Sequence, residues 1–103
     1  MHNLIAERRS GIAALCRRYH VRHLEVFGSA ARGDDFVPGH SDADFLVEFE
    51  SDTGQPALME FFDFQTELSQ LLNCPVDLVE ANAIRNPYLL ASINRAREVV
   101  YAA

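Results

Sequence analysis

The chain predicts an α/β (α+β) fold, a small mixed β-sheet flanked by helices, and three observations carry that reading. Short apolar segments with strand character alternate with longer segments whose apolar residues recur at helical spacing. The segment "DADFLVEFE" (residues 42–50) has two faces at a period of two, with Ala43, Phe45, Val47 and Phe49 on one and Asp42, Asp44, Leu46 and Glu48 on the other. Apolar residues make up 49% of the 103, enough for one modest core, so residues 1–103 read as a single domain.

Taken in order, Ile5, Ile12, Leu15, Cys16 and Tyr19 predict an N-terminal helix with Asn3 as its N-cap. "VRHLEVF" follows as a first strand that stops at Gly28. "GSAARG" enters a helical turn, and "GDDFVPGHS" (residues 33–41), with two Gly, a Pro and a Ser, reads as a loop before the second strand at 42–50. "SDTGQP" is a turn whose Pro56 suits the first turn of a helix. That helix has Leu58, Phe61, Phe62, Leu68, Leu71 and Leu72 as its core-facing stripe. "CPVDLVE" reads as a third strand led by Pro75, and "PYLLASINRAREVV" as a last helix opened by Pro87, with a short apolar strand end behind it.

Charge is sharply partitioned. Residues 1–33 carry six Arg against Glu7 and Glu25, a net +4; residues 34–84 carry twelve acids and no Arg or Lys, a net -12; the remainder adds +2, for a total of -6. Sequence-independent nucleic-acid binding draws its affinity from neutralised phosphates, so no nucleic-acid partner is expected. The acidic middle suits divalent cations or a basic protein surface. Glu48, Glu50, Asp52, Glu60, Asp63 and Glu67 read as a solvated face. No apolar run approaches the roughly 20 residues of a bilayer span, and the charged N-terminus lacks a signal-peptide centre. Cys16 and Cys74 belong to no C-x-x-C pair and read as buried reduced thiols. No membrane and a cytoplasmic location are the expectation.

The chemistry concentrates in two places. At "GSAARG", a glycine allows close backbone approach, Ser29 offers a hydroxyl, and N–H groups at a helix start favour phosphate oxygens. The Gly28-x-x-x-x-Gly33 spacing begins like a P-loop, but Asp34 and Asp35 stand where Lys and Ser or Thr are required, and the chain has no lysine anywhere. Countercharge for a triphosphate must come from elsewhere, with Arg32 assisting. At "SDADF" two carboxylates project from the same strand face, Asp42 and Asp44, roughly 7 Å apart at Cα. Asp77 is a third acid in an apolar strand, and pairing of residues 42–50 with 75–80 would bring it to them. Such carboxylates push one another's pKa upward unless Mg²⁺, which favours hard oxygen ligands, removes the conflict.

The ordered set Gly28-Ser29, Asp42-x-Asp44, Asp77 resembles the DNA polymerase β-type nucleotidyltransferase superfamily. "FGSAARGDDFVPGHSDADFLVEF" with "CPVDLVE" is similar, more closely, to its minimal nucleotidyltransferase (MNT) domain over essentially the whole chain. The departure is the loop of twelve residues, Ala30 to Ser41, between Ser29 and Asp42, which is longer than the common family form. The resemblance implies a polymerase β palm-like fold and a transfer of a nucleoside monophosphate assisted by two Mg²⁺. It assigns Asp42, Asp44 and Asp77 to metal binding and catalysis, with Asp77 also helping to deprotonate the acceptor hydroxyl. It assigns Gly28 and Ser29 to the β- and γ-phosphates. Arg32 and Ser41 are added as candidate nucleotide contacts.

MNT proteins of this kind pair as antitoxins with HEPN-domain ribonuclease toxins, so the resemblance implies AMP transfer from ATP to a toxin tyrosine within a hetero-oligomer. Masking of the toxin by binding alone and transfer to a small hydroxylated molecule are the alternatives. His2, His20, His23 and His40 show no metal-ligand spacing. Ser41 also suits a local loop hydrogen bond, and Tyr88 and Tyr101 read as packing residues.

Overall fold

The computed structural model describes residues 1–33, 36–37, 40–50 and 58–103. The turn expected at 51–56, with Pro56 and Asp52, and the loop positions 34, 35, 38 and 39 lie outside the described residues.

The elements run α1 (Asn3–Glu7), α2 (Arg9–Arg18), β1 (Val21–Phe27), α3 (Ser29–Arg32), β2 (Ala43–Phe49), α4 (Leu58–Leu72), β3 (Val76–Glu80), a 3₁₀ turn (Ala81–Ala83), α5 (Pro87–Arg95) and β4 (Arg97–Ala102). Among the described residues, four strands form one sheet in the order β3-β2-β1-β4. β1 is antiparallel to both β2 and β4, while β2 and β3 are parallel. The mixed α+β architecture expected from the sequence is therefore the one observed.

Three local expectations change. The N-terminal helix breaks at Arg8 into α1 and α2, and its cap is His2, not Asn3: the His2 imidazole Nδ1 accepts the Leu4 N–H at 3.0 Å. The last helix ends at Arg95, and "REVVYA" becomes a full six-residue strand against β1, because its Val and Tyr residues complete an edge that a longer helix would leave bare. On α4 the buried row is Phe64, Leu68 and Leu72, spaced four apart, whereas Leu58 and Phe62 are 71% and 52% exposed. They sit on one flank of the stripe, turned away from the packed core.

The main core lies between α1, α2 and α4 and one face of the sheet, with Ile5, Ile12, Leu24, Phe45, Phe64 and Leu68 fully buried. Tyr19, Phe49 and Phe64 pack ring against ring, with centroids 5.6 Å (Tyr19–Phe64) and 6.0 Å (Phe49–Phe64) apart. A smaller cluster, Phe27, Leu46 and Ile93, occupies the opposite face beneath α5. That explains why Leu46, which shares a face with Asp44, is nonetheless buried. The entrance to β3 is tied to α4 by two side chains: Gln65 Nε2 donates to the Val76 carbonyl at 2.8 Å, and Ser69 Oγ to that of Cys74 at 2.6 Å. Both cysteines are free and buried, as expected, and burial pushes the Cys16 thiol up to about 12. Among the described residues no helix is long and apolar enough to cross a membrane.

Candidate active site

The β1–α3 turn is built for a close approach. Gly28 adopts φ +68°, ψ -147°, a region that only glycine enters readily. Its N–H donates to the Ala96 carbonyl at 3.2 Å, which ties the turn to the start of β4. The N–H groups of Ala31 and Arg32 fold back to the Gly28 carbonyl, each at 3.1 Å. Those of Ser29 and Ala30 are the two at the helix start left without an intrahelical acceptor.

Across the sheet, Phe27 is in register with Asp44, so the turn and the acid meet. A Cβ placed on Gly28 would lie 2.9 Å from Asp44 Oδ2. A side chain at position 28 would therefore occupy the space in front of that carboxylate. On its other side Asp44 is in register with Asp77 on the parallel strand β3, neighbours roughly 4.8 Å apart at the backbone. Asp42 lies just before β2 and is exposed, as is Asp77, while Asp44 is half-buried.

The electrostatics follow from this layout. The Asp44 carboxyl is raised to about 6, chiefly by desolvation, then by the charge of Asp77, then by that of Asp42. All three acids thus act on one point, with Asp44 at the centre. Among the described residues, no group of three or more His, Cys, Asp or Glu side chains stands in a metal-holding arrangement. The acids share one end of the sheet without closing into a cage.

The remaining predicted residues divide. Ser41 Oγ accepts the Val37 N–H at 3.0 Å, and its own N–H reaches the Val37 carbonyl at 2.8 Å, so it closes the loop ahead of Asp42. Arg32 ends α3 and is exposed, one turn beyond Ser29. His40 is an exposed turn residue. Tyr101 is half-buried against the core, but Tyr88, expected to pack, is 85% exposed. Of the acids read as a solvated face, Glu48 pairs with Arg22 at 3.1 Å and Glu67 with Arg18 at 3.0 Å and with the Tyr19 hydroxyl.

One cluster was missed. Glu25 is 9% exposed on the same face as Asp44 and is held by the Arg97 guanidinium, which also donates to Asn94 Oδ1 at 2.8 Å. With His23, Leu46 and Glu48 they line a cleft of about 220 Å³. The signal was available: an acid inside the apolar strand "LEVF" is the anomaly that singled out Asp77.

Comparisons with known proteins place the chain in a family. The nucleotidyltransferase domain family matches residues 9–100. The chain is similar to a Methanocaldococcus jannaschii protein provisionally named protein adenylyltransferase MJ0128, at 42% identity over 77% of this chain and 76% of that one. It is also similar to the protein adenylyltransferase MntA of Thermococcus cleftensis, at 37% identity over 84% and 80%. Among solved structures, one provisionally described as a minimal nucleotidyltransferase has a TM-score of 0.73 and 30% identity, covering 95% of both chains. A toxin–antitoxin structure with AMP-PNP has a TM-score of 0.70 at 18% identity, covering 92% of this chain and 73% of that one. A complex of tri-AMPylated Shewanella oneidensis HEPN toxin with MNT antitoxin has 0.66 at 17%, covering 96% and 73%. At such identities these last two speak for the fold alone. This chain belongs to the nucleotidyltransferase domain family and is a nucleotidyltransferase of the minimal type.

Proposed function

We propose that this chain, acting as one domain over residues 1–103, transfers AMP from ATP to a tyrosine hydroxyl of a HEPN-domain toxin and so serves as its antitoxin in the cytoplasm. The observation that carries the reading is Asp44, pressed against Gly28 on one side and in register with Asp77 on the other. An acid cluster beside a backbone that admits no side chain has no structural purpose of its own. It suits a phosphate chain and the cations that accompany it. Relatives at 42% and 37% identity named as protein adenylyltransferases support the protein acceptor. The nucleotide and the partner are proposed by analogy with neighbouring folds solved with AMP-PNP and with an AMPylated HEPN toxin.

The acids fit Mg²⁺: they are hard oxygen donors, the chain supplies no lysine, and the raised Asp44 carboxyl is a conflict that a cation relieves. Asp42, Asp44 and Asp77 would hold two ions, which when bound supply countercharge to attacking and leaving oxygens. The chain's own residues do the rest. Ser29 and the N–H groups at the start of α3 hold the β- and γ-phosphates, with Arg32 assisting. Asp77 takes the acceptor's proton as the hydroxyl oxygen bonds to the α-phosphorus; the bond from that phosphorus to the bridging oxygen breaks, and pyrophosphate leaves.

The test is intact mass spectrometry of the HEPN protein after incubation with this chain, Mg²⁺ and each NTP. Whole AMP additions with ATP, abolished by Asp44→Asn, are expected. If the double variant Asp42→Asn, Asp44→Asn neutralised the toxin as well as wild type at matched complex levels, neutralisation would be masking instead.

A further inference from the structure

At the other end of β3 from Asp77 lies a larger cavity, about 500 Å³, lined by Leu58, Phe61 and Phe62 of α4, by Leu78, Val79 and Glu80 of β3, and by the 3₁₀ turn. It wraps round β3, an edge strand of the sheet. Its apolar wall contains Leu58 and Phe62, two of the large hydrophobic side chains that the core does not use. Within this wall sits one charged group. Glu80 is only partly buried, but its Oε1 is shut off from solvent and has no hydrogen-bond partner among the described residues.

Leaving a carboxylate oxygen buried and unmatched is costly, so the feature calls for a donor from outside. The base nearest in sequence does not supply it: Arg85 Nη1 donates to the Asn82 and Ile84 carbonyls at 2.9 and 3.1 Å. Residues 34–84 supply no Arg or Lys to pair with Glu80, holding twelve acids instead.

We propose that this groove is a docking site for the protein acceptor, which inserts an arginine or lysine onto Glu80 with its aliphatic stem and an apolar neighbour against Phe61, Phe62 and Leu78. The proposal rests on the protein adenylyl transfer argued above. Charge complementarity selects a basic partner, and a guanidinium stem over aromatic rings is a favourable arrangement. Glu80 is three residues along the edge strand β3 from Asp77, roughly 10 Å, and on the opposite face of the sheet, so an acceptor that straddles the β3 edge can seat here and still reach the acids. A partner held here is anchored across the sheet edge from the acids without occupying them.

The test separates docking from chemistry. Random twelve-residue peptides displayed on phage are selected on the wild-type chain and counter-selected on Glu80→Gln, which keeps the shape and removes the charge. The expected consensus is a basic residue beside an aromatic or aliphatic one. A synthetic peptide of that sequence should bind wild type at least tenfold more tightly than Glu80→Gln or Phe62→Ser, by fluorescence anisotropy, with ATP-analogue binding by calorimetry unchanged in both variants. It should also raise the KM for the protein acceptor without changing kcat. Failure to select a consensus, a consensus without a base, or equal binding by Glu80→Gln overturns the proposal. So does a gel-filtration dimer of wild type that Phe62→Ser dissolves, since a second copy would then own the groove. If the peptide discriminates as expected but no AMP transfer occurs, docking stands and the adenylyl-transfer reading fails. If transfer proceeds with the same KM in Glu80→Gln, the reverse holds.

Discussion

On the face of the sheet that meets α2 and α4, Leu24, Val26, Phe45 and Val47 are completely buried. One residue along the same strands, the opposite face presents Glu25, Asp44, Leu46 and Glu48, with Leu46 covered by Ile93 of α5 and the charges left to find partners. The backbone is common to both faces, so the difference comes from the covering layer. Long α4 seals one side, while the nine-residue α5 covers a patch of the other and leaves the acids at its margin. Stability is thus concentrated on one face and chemistry on the other, and substitutions should separate the two.

Phe64→Ala should have the largest effect on folding. Phe64 is fully buried and packs against Tyr19 and Phe49, so its loss is expected to destabilise the protein by about 4 kcal/mol in urea unfolding. If the residual folded protein still binds ATP analogue normally, the two faces are separable as described. Arg97→Ala probes the charged face. It leaves Glu25 buried without its cation, at about 2 kcal/mol, less than a fully buried pair because the Arg97 side chain is 36% exposed. Glu25→Gln together with Arg97→Met should recover most of that loss. A single Arg97 variant as stable as wild type would show that Glu25 does not need the pair.

The third expectation has the opposite sign. Asp44 is raised in the folded protein from 3.8 to about 6, so the native state binds its proton more tightly than the unfolded chain does. That favours folding below about pH 4, and the benefit is lost as pH rises through 6. In EDTA, Asp44→Asn should therefore match wild type near pH 3.5 and exceed it by about 1 kcal/mol at pH 7.5, after allowance for solvent screening at a half-buried carboxyl. Mg²⁺ should narrow the gap by stabilising wild type alone. Equal stability at pH 7.5 in EDTA would mean that the acids do not crowd one another.

What could be read from the residues alone was whatever depends on near neighbours in the chain. The alternation in β2, the Gly-Ser exit from β1, the order of helices and strands and the anomalous charge at Asp77 are properties of a few consecutive side chains. Together with an expected pairing of the two strands and the family resemblance, they singled out Asp44 and Asp77 as candidates. Other features depended on what each segment packs against. Helical periodicity marks a stripe but not its width, so Leu58 and Phe62 looked like core although they lie on its exposed flank. "REVVYA" became a strand because β1 had a free edge for it. Glu25 became a buried partner of Arg97 because two segments far apart in sequence pair in register. Register between β2 and β3, which sets Asp44 against Asp77, is likewise a tertiary result: backbone hydrogen bonds carry no side-chain label, and only the burial of Phe45, Leu46 and Leu78 on their respective faces selects one alignment over its neighbours.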